Sequence, residues 1–520
     1  MSEKQRPMHW MCAALYGHFG LWAHSLRTVL MLIFALMMNY MLVRSEGARV
    51  MNAGYQVHMG EMLFSYLHQG FNMIMASLAF FVMMSEIPKQ VPYQKYSTLR
   101  MTRRRWLASL MLFCVLIVLL YLALMIVSSV LFSLPYVTPG GGWSDLERLA
   151  ADPDFIYEPP YIPAYVTSSL SPLAAGVIAG AVLFLFWTAM AFIILLSSLY
   201  RAPNVGIVIC VAFITGSIVI LVESIPGLIL PDQFSTMDRI AARFEEHKLT
   251  AVMLSMGGWL LLNGLLCAAL MDRRVQRMDI EFSGKGVTAN DYGGKCEQAI
   301  RQQQRAAGIS VQLHEGAIYG LVGANGCGKT TLMRCICGFS QPTSGYIVVN
   351  GCLIGGKSTL KRNPELVGAN PSIFSRVADF APNTGVIIET PGFLPHETGL
   401  QNLMLLAAMS GRADRARARR AMIELGLDPD EKKPVWKYSL GQRQRLGFAQ
   451  AFMEDPDVLI LDEPFNAMDK ASMEEVHDLL QRFKAQNKTV LLASHSAEDI
   501  ARACDVIYEM EDGELHLVKQ

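Results

Sequence analysis

The stretch Gly323-Ala-Asn-Gly-Cys-Gly-Lys329-Thr330-Thr331 stands between an apolar run over 317–322 and a second apolar run, the order of a strand, a glycine loop and a helix. Phosphate is the group such a loop can hold. Gly323, Gly326 and Gly328 let backbone N–H groups close on phosphate oxygens, and the start of a helix adds partial positive charge. At this spacing Lys329 reaches the β and γ phosphates and the Thr330 hydroxyl ligates magnesium, with Asn325 and Thr331 in the same cradle. About 130 residues further on, Val458-Leu-Ile-Leu-Asp462-Glu463 reads as a buried strand ending in two carboxylates. Asp462 is suited to hold the metal and Glu463 to polarise an attacking water. Another apolar run, 489–493, delivers Ser494-His495, where an imidazole can touch the γ phosphate. Lys329, Glu463 and His495 are therefore the candidate catalytic groups. Cys327, inside the loop at the start of the helix, is a candidate reactive thiol.

These groups need a rigid α/β frame, and only part of the chain can supply one. Of 520 residues, 52% are hydrophobic and 17% charged, which is too apolar for a soluble protein of that length. Long apolar runs dominate up to Met271, and a mixed, charged, glycine-punctuated sequence follows. We read residues 1–275 as a transmembrane domain, 276–307 as a linker and the start of the soluble domain, and 308–520 as the domain that carries the cradle. A helix crossing about 30 Å of hydrocarbon needs roughly 20 residues. Candidate spans fall near 26–43, 62–84, 106–134, 173–200, 204–222 and 249–271. Six spans put both chain ends on one side. Lys89, Lys95, Arg100, Arg103, Arg104 and Arg105 between the second and third spans, with Arg273, Arg274 and Arg277 after the last, mark that side as cytoplasmic. The connection 135–171, with Arg148 as its single basic residue among five acidic ones, fits the outside, whereas Arg44 and Arg49 in an outer loop depart from the pattern.

The segment Met8 to Ala23 is apolar with three histidines whose spacing does not stack ligands on one helix face, so it reads as an interfacial helix without a metal. His68, Gln69 and Asn72 in the second span must face the bundle or a cavity, either along a substrate path or as interhelical hydrogen-bond formers. None of the ten cysteines falls in an outer loop, so no disulfides are expected. A net charge of zero gives no field that would attract nucleic acid, and none is expected as a partner.

Ahead of the carboxylate strand, Tyr438-Ser439-Leu440-Gly441-Gln442-Arg443-Gln444-Arg445 resembles the signature segment of the ATP-binding cassette (ABC) family, whose usual form is Leu-Ser-Gly-Gly-Gln. Phe465-Asn-Ala-Met-Asp469 is similar to its D-loop and His495 to its switch histidine, and the resemblance covers roughly Gly308 to Gly513. It implies an α-helical transmembrane domain of six spans followed by an α/β P-loop NTPase, an ABC ATPase domain that binds ATP and Mg2+. It adds Ser439, Gly441, Gln442 and Asp469 as residues that meet nucleotide, and Tyr292 as the candidate for stacking on adenine. Where the family usually has a glutamine linking magnesium to the permease, Val386-Ile-Ile-Glu389-Thr-Pro-Gly-Phe carries Glu389, which the resemblance puts at the metal. That form, and Leu440 in place of a glycine, resemble the bacitracin-resistance and lantibiotic-immunity branch.

In this family the nucleotide lies between the cradle of one cassette and the signature segment of another. The resemblance thus implies a homodimer or a pair with a related half-transporter. Cytoplasmic connections of about 21 residues (85–105) and about three (201–203) are similar to the type V exporters of drugs, lipids and polysaccharides, and Glu86 to Trp106 to their coupling helix. The expected protein is an ATP-driven exporter of an amphipathic or hydrophobic compound (a peptide antibiotic, drug or lipid) working by alternating access. It is expected in the bacterial cytoplasmic membrane, surrounded by lipid, with the cassette and both termini inside. Two readings remain beside it: an importer of a small hydrophobic compound, and a cassette-driven sensor or mechanotransmitter that moves no substrate. A sensor usually carries a large outer domain, and the longest outer loop here has about 37 residues.

Overall fold

A computed structural model describes residues 9–52, 57–61, 70–85, 100–138, 140–144, 171–199, 205–211, 263–275, 309–342, 345–355, 359, 376–388, 392–466, 468, 470–511 and 513–519. The chain divides into two compact units. One comprises Leu21–Lys89 and Leu110–Val275; the other joins Met1–Gly20 and Gln90–Ser109 to Gln276–Gln520.

The first unit is helical because its sequence is apolar on all sides, the pattern of a helix with no water-facing stripe. Helix α1 (Trp10–Ala23) leads into it, followed by α2 (Leu26–Asn52), α3 (Gly70–Met84), α4 (Arg103–Ser133) and α5 (Pro172–Leu199). Among the described residues, three helices are long and apolar enough to cross a membrane: Leu26–Ser45, Arg103–Tyr136 and Pro172–Leu199. These meet three of the six expected spans. The other three overlap α3 and the helical segments 205–211 and 263–275, and their remaining residues lie outside those described. His68 and Gln69 also lie outside them. Short strands β1 (Val57–His58) and β2 (Val137–Thr138) pair in parallel beside this bundle.

Between apolar helices in lipid, packing and hydrogen bonds replace the hydrophobic effect as the source of specificity. Phe80, Tyr121 and Trp187 meet with ring centroids 5.1–5.6 Å apart, tying α3, α4 and α5 together. Each polar tip is satisfied: Trp187 Nε1 donates to Ser77 Oγ at 2.9 Å and the Tyr121 hydroxyl to the Ala76 carbonyl at 2.9 Å. Such ring pairs contribute about 0.5–1.5 kcal/mol each. Buried Asn39 of α2 donates from Nδ2 to the Met125 carbonyl at 3.2 Å and accepts at Oδ1 from Ser129 Oγ at 3.2 Å, joining α2 to α4.

The second unit is built on a six-stranded sheet. Its strands are β3 (Ile318–Val322), β7 (Thr384–Ile387), β8 (Val458–Asp462), β9 (Thr489–Ala493), β10 (Val506–Glu511) and β11 (Glu514–Lys519), in spatial order β11-β10-β3-β9-β8-β7. All pair in parallel except β11, which closes one edge antiparallel. A smaller sheet orders β4 (Val348–Val349), β5 (Cys352–Ile354) and β6 (Arg376–Ala378). Strands covered on both faces read as continuous apolar runs, and the five residues of β9, Thr-Val-Leu-Leu-Ala, are all buried. Helices α6 (Lys329–Cys337), α7 (Gly399–Ser410), α8 (Arg415–Glu424), α9 (Leu440–Phe452), α10 (Lys470–Ala485) and α11 (Ala497–Ala503) complete the unit.

Their ends carry the expected stop and start signals. Thr398 and Gln401 form a capping box at the head of α7, and Gly338 and Gly411 close α6 and α7 in the left-handed conformation. Within this same unit α1 and the start of α4 contact the sheet domain and each other. The Tyr16 hydroxyl donates to Glu397 Oε1 at 2.9 Å, Arg105 lies 5.4 Å from the Trp10 ring centroid, and His18 Nε2 is 3.2 Å from Ser109 Oγ.

Candidate nucleotide site

Strands β3, β9 and β8 are neighbours in the sheet and run in parallel, so their C-terminal ends open side by side. This is where a parallel α/β sheet presents ligand groups, because each strand hands the chain to a loop at that edge. Strand β3 leads into the glycine loop and α6, β8 ends on Asp462 with Glu463 next, and β9 is followed by Ser494 and His495. One backbone bond, from Glu463 N–H to the Ala493 carbonyl at 2.8 Å, locks the second loop to the third.

The loop turns on three glycines with positive φ, Gly323, Gly326 (φ +86°) and Gly328. Gly323 has φ +151°, and a Cβ there would run into the Met510 carbonyl oxygen and stand 2.9 Å from Cys327 Sγ. Gly328, with φ +117°, is the N-cap of α6 in a left-handed conformation. Asn325, Gly326 and Thr331 are exposed along the rim of the loop and the first turn of α6. The Lys329 ammonium is buried and folded back on the loop, donating to the Gly323 carbonyl at 2.7 Å and the Ala324 carbonyl at 3.2 Å. These are bonds that it can exchange for phosphate oxygens.

The Thr330 hydroxyl donates to Asp462 Oδ2 at 2.7 Å. Burial raises the Asp462 carboxyl above its ordinary 3.8, Glu463 adds to that shift, and the Thr330 hydroxyl and Lys329 oppose it. A buried carboxylate beside a hydroxyl is the hard-oxygen pair that Mg2+ takes, so these two residues fit the metal. Glu463 Oε2 accepts from Ser494 Oγ at 3.3 Å and meets His495 Nδ1 at 2.9 Å. His495 is more than half exposed, which leaves its other ring nitrogen free to face a ligand. Glu463 also has φ +48°.

The signature residues form a second, separate feature. Ser439 is the N-cap of α9: its Oγ accepts from Gln442 N–H at 3.1 Å, and Gln442 Oε1 accepts from Ser439 N–H at 3.0 Å. Gln442 is thus turned onto its own helix and orients Ser439. Leu440, in the first turn beside Gly441, is half exposed, as is Trp436 just upstream. No hydrogen bond joins Ser439, Gly441 or Gln442 to the phosphate loop among the described residues, and Ser439 and Leu440 at the N-terminal end of α9 are exposed. Glu389, Asp469 and Tyr292 lie outside the described residues.

Sequence reasoning missed Gln444. Its side chain is buried and donates from Nε2 to the Pro464 carbonyl at 3.1 Å, fastening α9 to the loop after Glu463. The available signal was the position of Gln444 at i, i+4 and i+7 with Phe448 and Ala451, on one face of α9.

The ABC transporter family matches residues 306–466. Among curated proteins, the bacitracin transport ATP-binding protein BcrA of Enterococcus faecalis is 36% identical over 213 residues, 41% of this chain and 62% of BcrA. This chain therefore spans less than two thirds of that relative. The uncharacterized ABC transporter ATP-binding protein YybJ of Bacillus subtilis is 35% identical over 40% of this chain and 86% of its own length. The lantibiotic transport ATP-binding protein SrtF of Streptococcus pyogenes is 27% identical over 41% of this chain and 82% of its own length.

Proposed function

The chain belongs to the ABC transporter ATP-binding proteins, and on that footing we propose that it hydrolyses ATP to export an amphipathic compound through its own helical domain. The observation that carries the reading is the assembly of Thr330, Asp462, Glu463 and His495 at the ends of three adjacent parallel strands. Lys329 exchanges its two loop carbonyls for β and γ phosphate oxygens, and the first turn of α6 adds its N–H groups. Thr330 and Asp462 would hold Mg2+, which would supply charge to neutralise the phosphate oxygens. Ser494 and His495 occupy Glu463 Oε2, so Oε1 is the atom that accepts the proton of the attacking water. His495 presents its free ring nitrogen to the γ phosphate. The products are ADP and phosphate.

The exposed start of α9 supports a second cassette as its partner. Ser439 and the N–H groups behind it complete a nucleotide site on another chain, in a homodimer or with a related half-transporter. Closing that sandwich and releasing it would drive alternating access in the bacterial cytoplasmic membrane, with the cassette inside. BcrA and SrtF are named for bacitracin and lantibiotic transport, which supports peptide antibiotics as the substrate class ahead of drugs and lipids.

The test is ATP hydrolysis by the full chain in lipid nanodiscs, wild type against Glu463→Gln, across cationic peptides, lipids and drugs. Basal hydrolysis lost in the variant and stimulated by antimicrobial peptides is the expected result. Hydrolysis that survives Glu463→Gln would overturn the assignment of the base, and stimulation by none of the compounds would return the sensor reading.

A further inference from the structure

Arg100 and Arg103 stand three residues apart at the head of α4, and each guanidinium is fastened to a different helix of the sheet unit. Arg103 is 2% exposed; it donates from Nη2 to the Gly338 carbonyl at 3.1 Å and lies 5.3 Å from the Phe380 ring centroid. Gly338 is the residue that closes α6. Arg100 donates from Nε to Glu454 Oε1 at 2.5 Å and from Nη2 to the Gln450 carbonyl at 3.0 Å, at the last turn of α9 and just past it. That ion pair is buried, with side-chain exposures of 7% and 11%. Each cation therefore sits at the carbonyl end of a helix, where the backbone dipoles favour positive charge.

The other end of α6 is the phosphate loop, and the other end of α9 is Ser439. Two helices whose N-termini are the nucleotide-facing ends are gripped at their C-termini by two side chains of one short segment. That segment is stiff: Met101 between them is buried, and Thr102 caps α4 by accepting from Arg105 N–H at 3.3 Å. Beyond it α4 runs unbroken from Arg103 to Ser133. A water-exposed ion pair could be exchanged at little cost, but a buried one cannot, because removing either partner strands the other charge.

We infer that Arg100 and Arg103 are positioning residues that fix α6 and α9 relative to each other, so that nucleotide occupancy and the setting of the first turn of α4 share one equilibrium. The inference rests on the ATP-binding reading above and assigns the link to two named side chains. The experiment uses the full chain in nanodiscs with Arg100→Ala, Arg103→Ala, Arg103→Lys and the charge exchange Arg100→Glu with Glu454→Arg. The expected loss of kcat in the alanine variants is about 5- to 150-fold, the range of ordinary coupling energies, with KM for ATP moved less than about twofold. The exchange pair is expected to recover most of the loss from Arg100→Glu alone.

A second readout needs no turnover. In the Glu463→Gln background, Mg-ATP should slow amide hydrogen exchange across 102–109, and adding Arg100→Ala or Arg103→Ala should abolish that response. Folded variants that keep wild-type kcat and the ATP-dependent protection would overturn the inference and leave the ATPase reading standing. Loss of thermal stability and ATP affinity in parallel, with protection retained, would reduce the arginines to staples and overturn it as well. A wild-type protein that neither binds nor hydrolyses ATP would defeat the underlying reading and this one together.

Discussion

Replacing Thr330 by valine keeps the shape of the side chain and deletes the O–H that meets Asp462 Oδ2 at 2.7 Å. The acceptor is a carboxylate with 6% exposure, so water does not replace the lost donor, and burial already raises its pKa. A hydrogen bond to a buried charge is worth about 1.5–3 kcal/mol, a factor of roughly 10 to 150 in an equilibrium constant. The same hydroxyl is the proposed metal ligand, so the loss should appear as a rise of about tenfold or more in the free Mg2+ needed for half-maximal ATP hydrolysis. Thr330→Ser keeps the hydroxyl and should stay near wild type. The assay is steady-state phosphate release in nanodiscs at saturating ATP over a free Mg2+ titration. A serine variant as impaired as the valine one, or a valine variant with a wild-type Mg2+ curve, would refute the role given to the hydroxyl.

Gly323→Ala should cost about 1–3 kcal/mol in backbone strain at φ +151° and weaken ATP binding by tenfold or more, read by calorimetry in the Glu463→Gln background. Maleimide should inactivate hydrolysis through Cys327, whose Sγ lies 3.9 Å from Lys329 Nζ; ATP should slow the loss and Cys327→Ala should prevent it. Burial pushes the His18 imidazole from 6.5 down to about 4, so the unfolded chain takes up that proton first. Stability should therefore fall as pH drops through the window from about 6.5 to about 4, by on the order of 3 kcal/mol in total. His18→Gln should flatten the decline of melting temperature in that window, and an unchanged slope would exclude His18 as its source.

The residues that the structure brings together at the sheet edge were legible in sequence because phosphate chemistry needs particular side chains at the ends of buried strands. The apolar runs of β3, β8 and β9 located those ends, and glycine at 323 and 328 marked the turn. Two kinds of information were not local. Arg100 finds Glu454 at a separation of 354 residues, which no periodicity encodes, and the same packing assigns 1–20 and 90–109 to the sheet unit rather than to the helical one. Asn39 could be read as a polar group in need of a partner, but its choice of Met125 and Ser129 depends on how α2 meets α4. Gln442 reads as a nucleotide contact from the signature alone, yet a capping box has the same Ser-x-x-Gln spacing, and in the structure the side chain serves the cap.

The backbone at Glu463 carries one more consequence. Five non-glycine residues among those described have positive φ; four are asparagine or aspartate, which tolerate that conformation, and the fifth is Glu463. A glycine at 463 would relieve that strain, about 1 kcal/mol, and would lose the carboxylate that accepts from Ser494 Oγ and meets His495 Nδ1. A search that scored backbone strain alone would mark this position as a defect and overlook the carboxylate that the strained backbone holds against Ser494 and His495. The site and the fold make opposed demands here, and the wild-type residue records which of them prevailed.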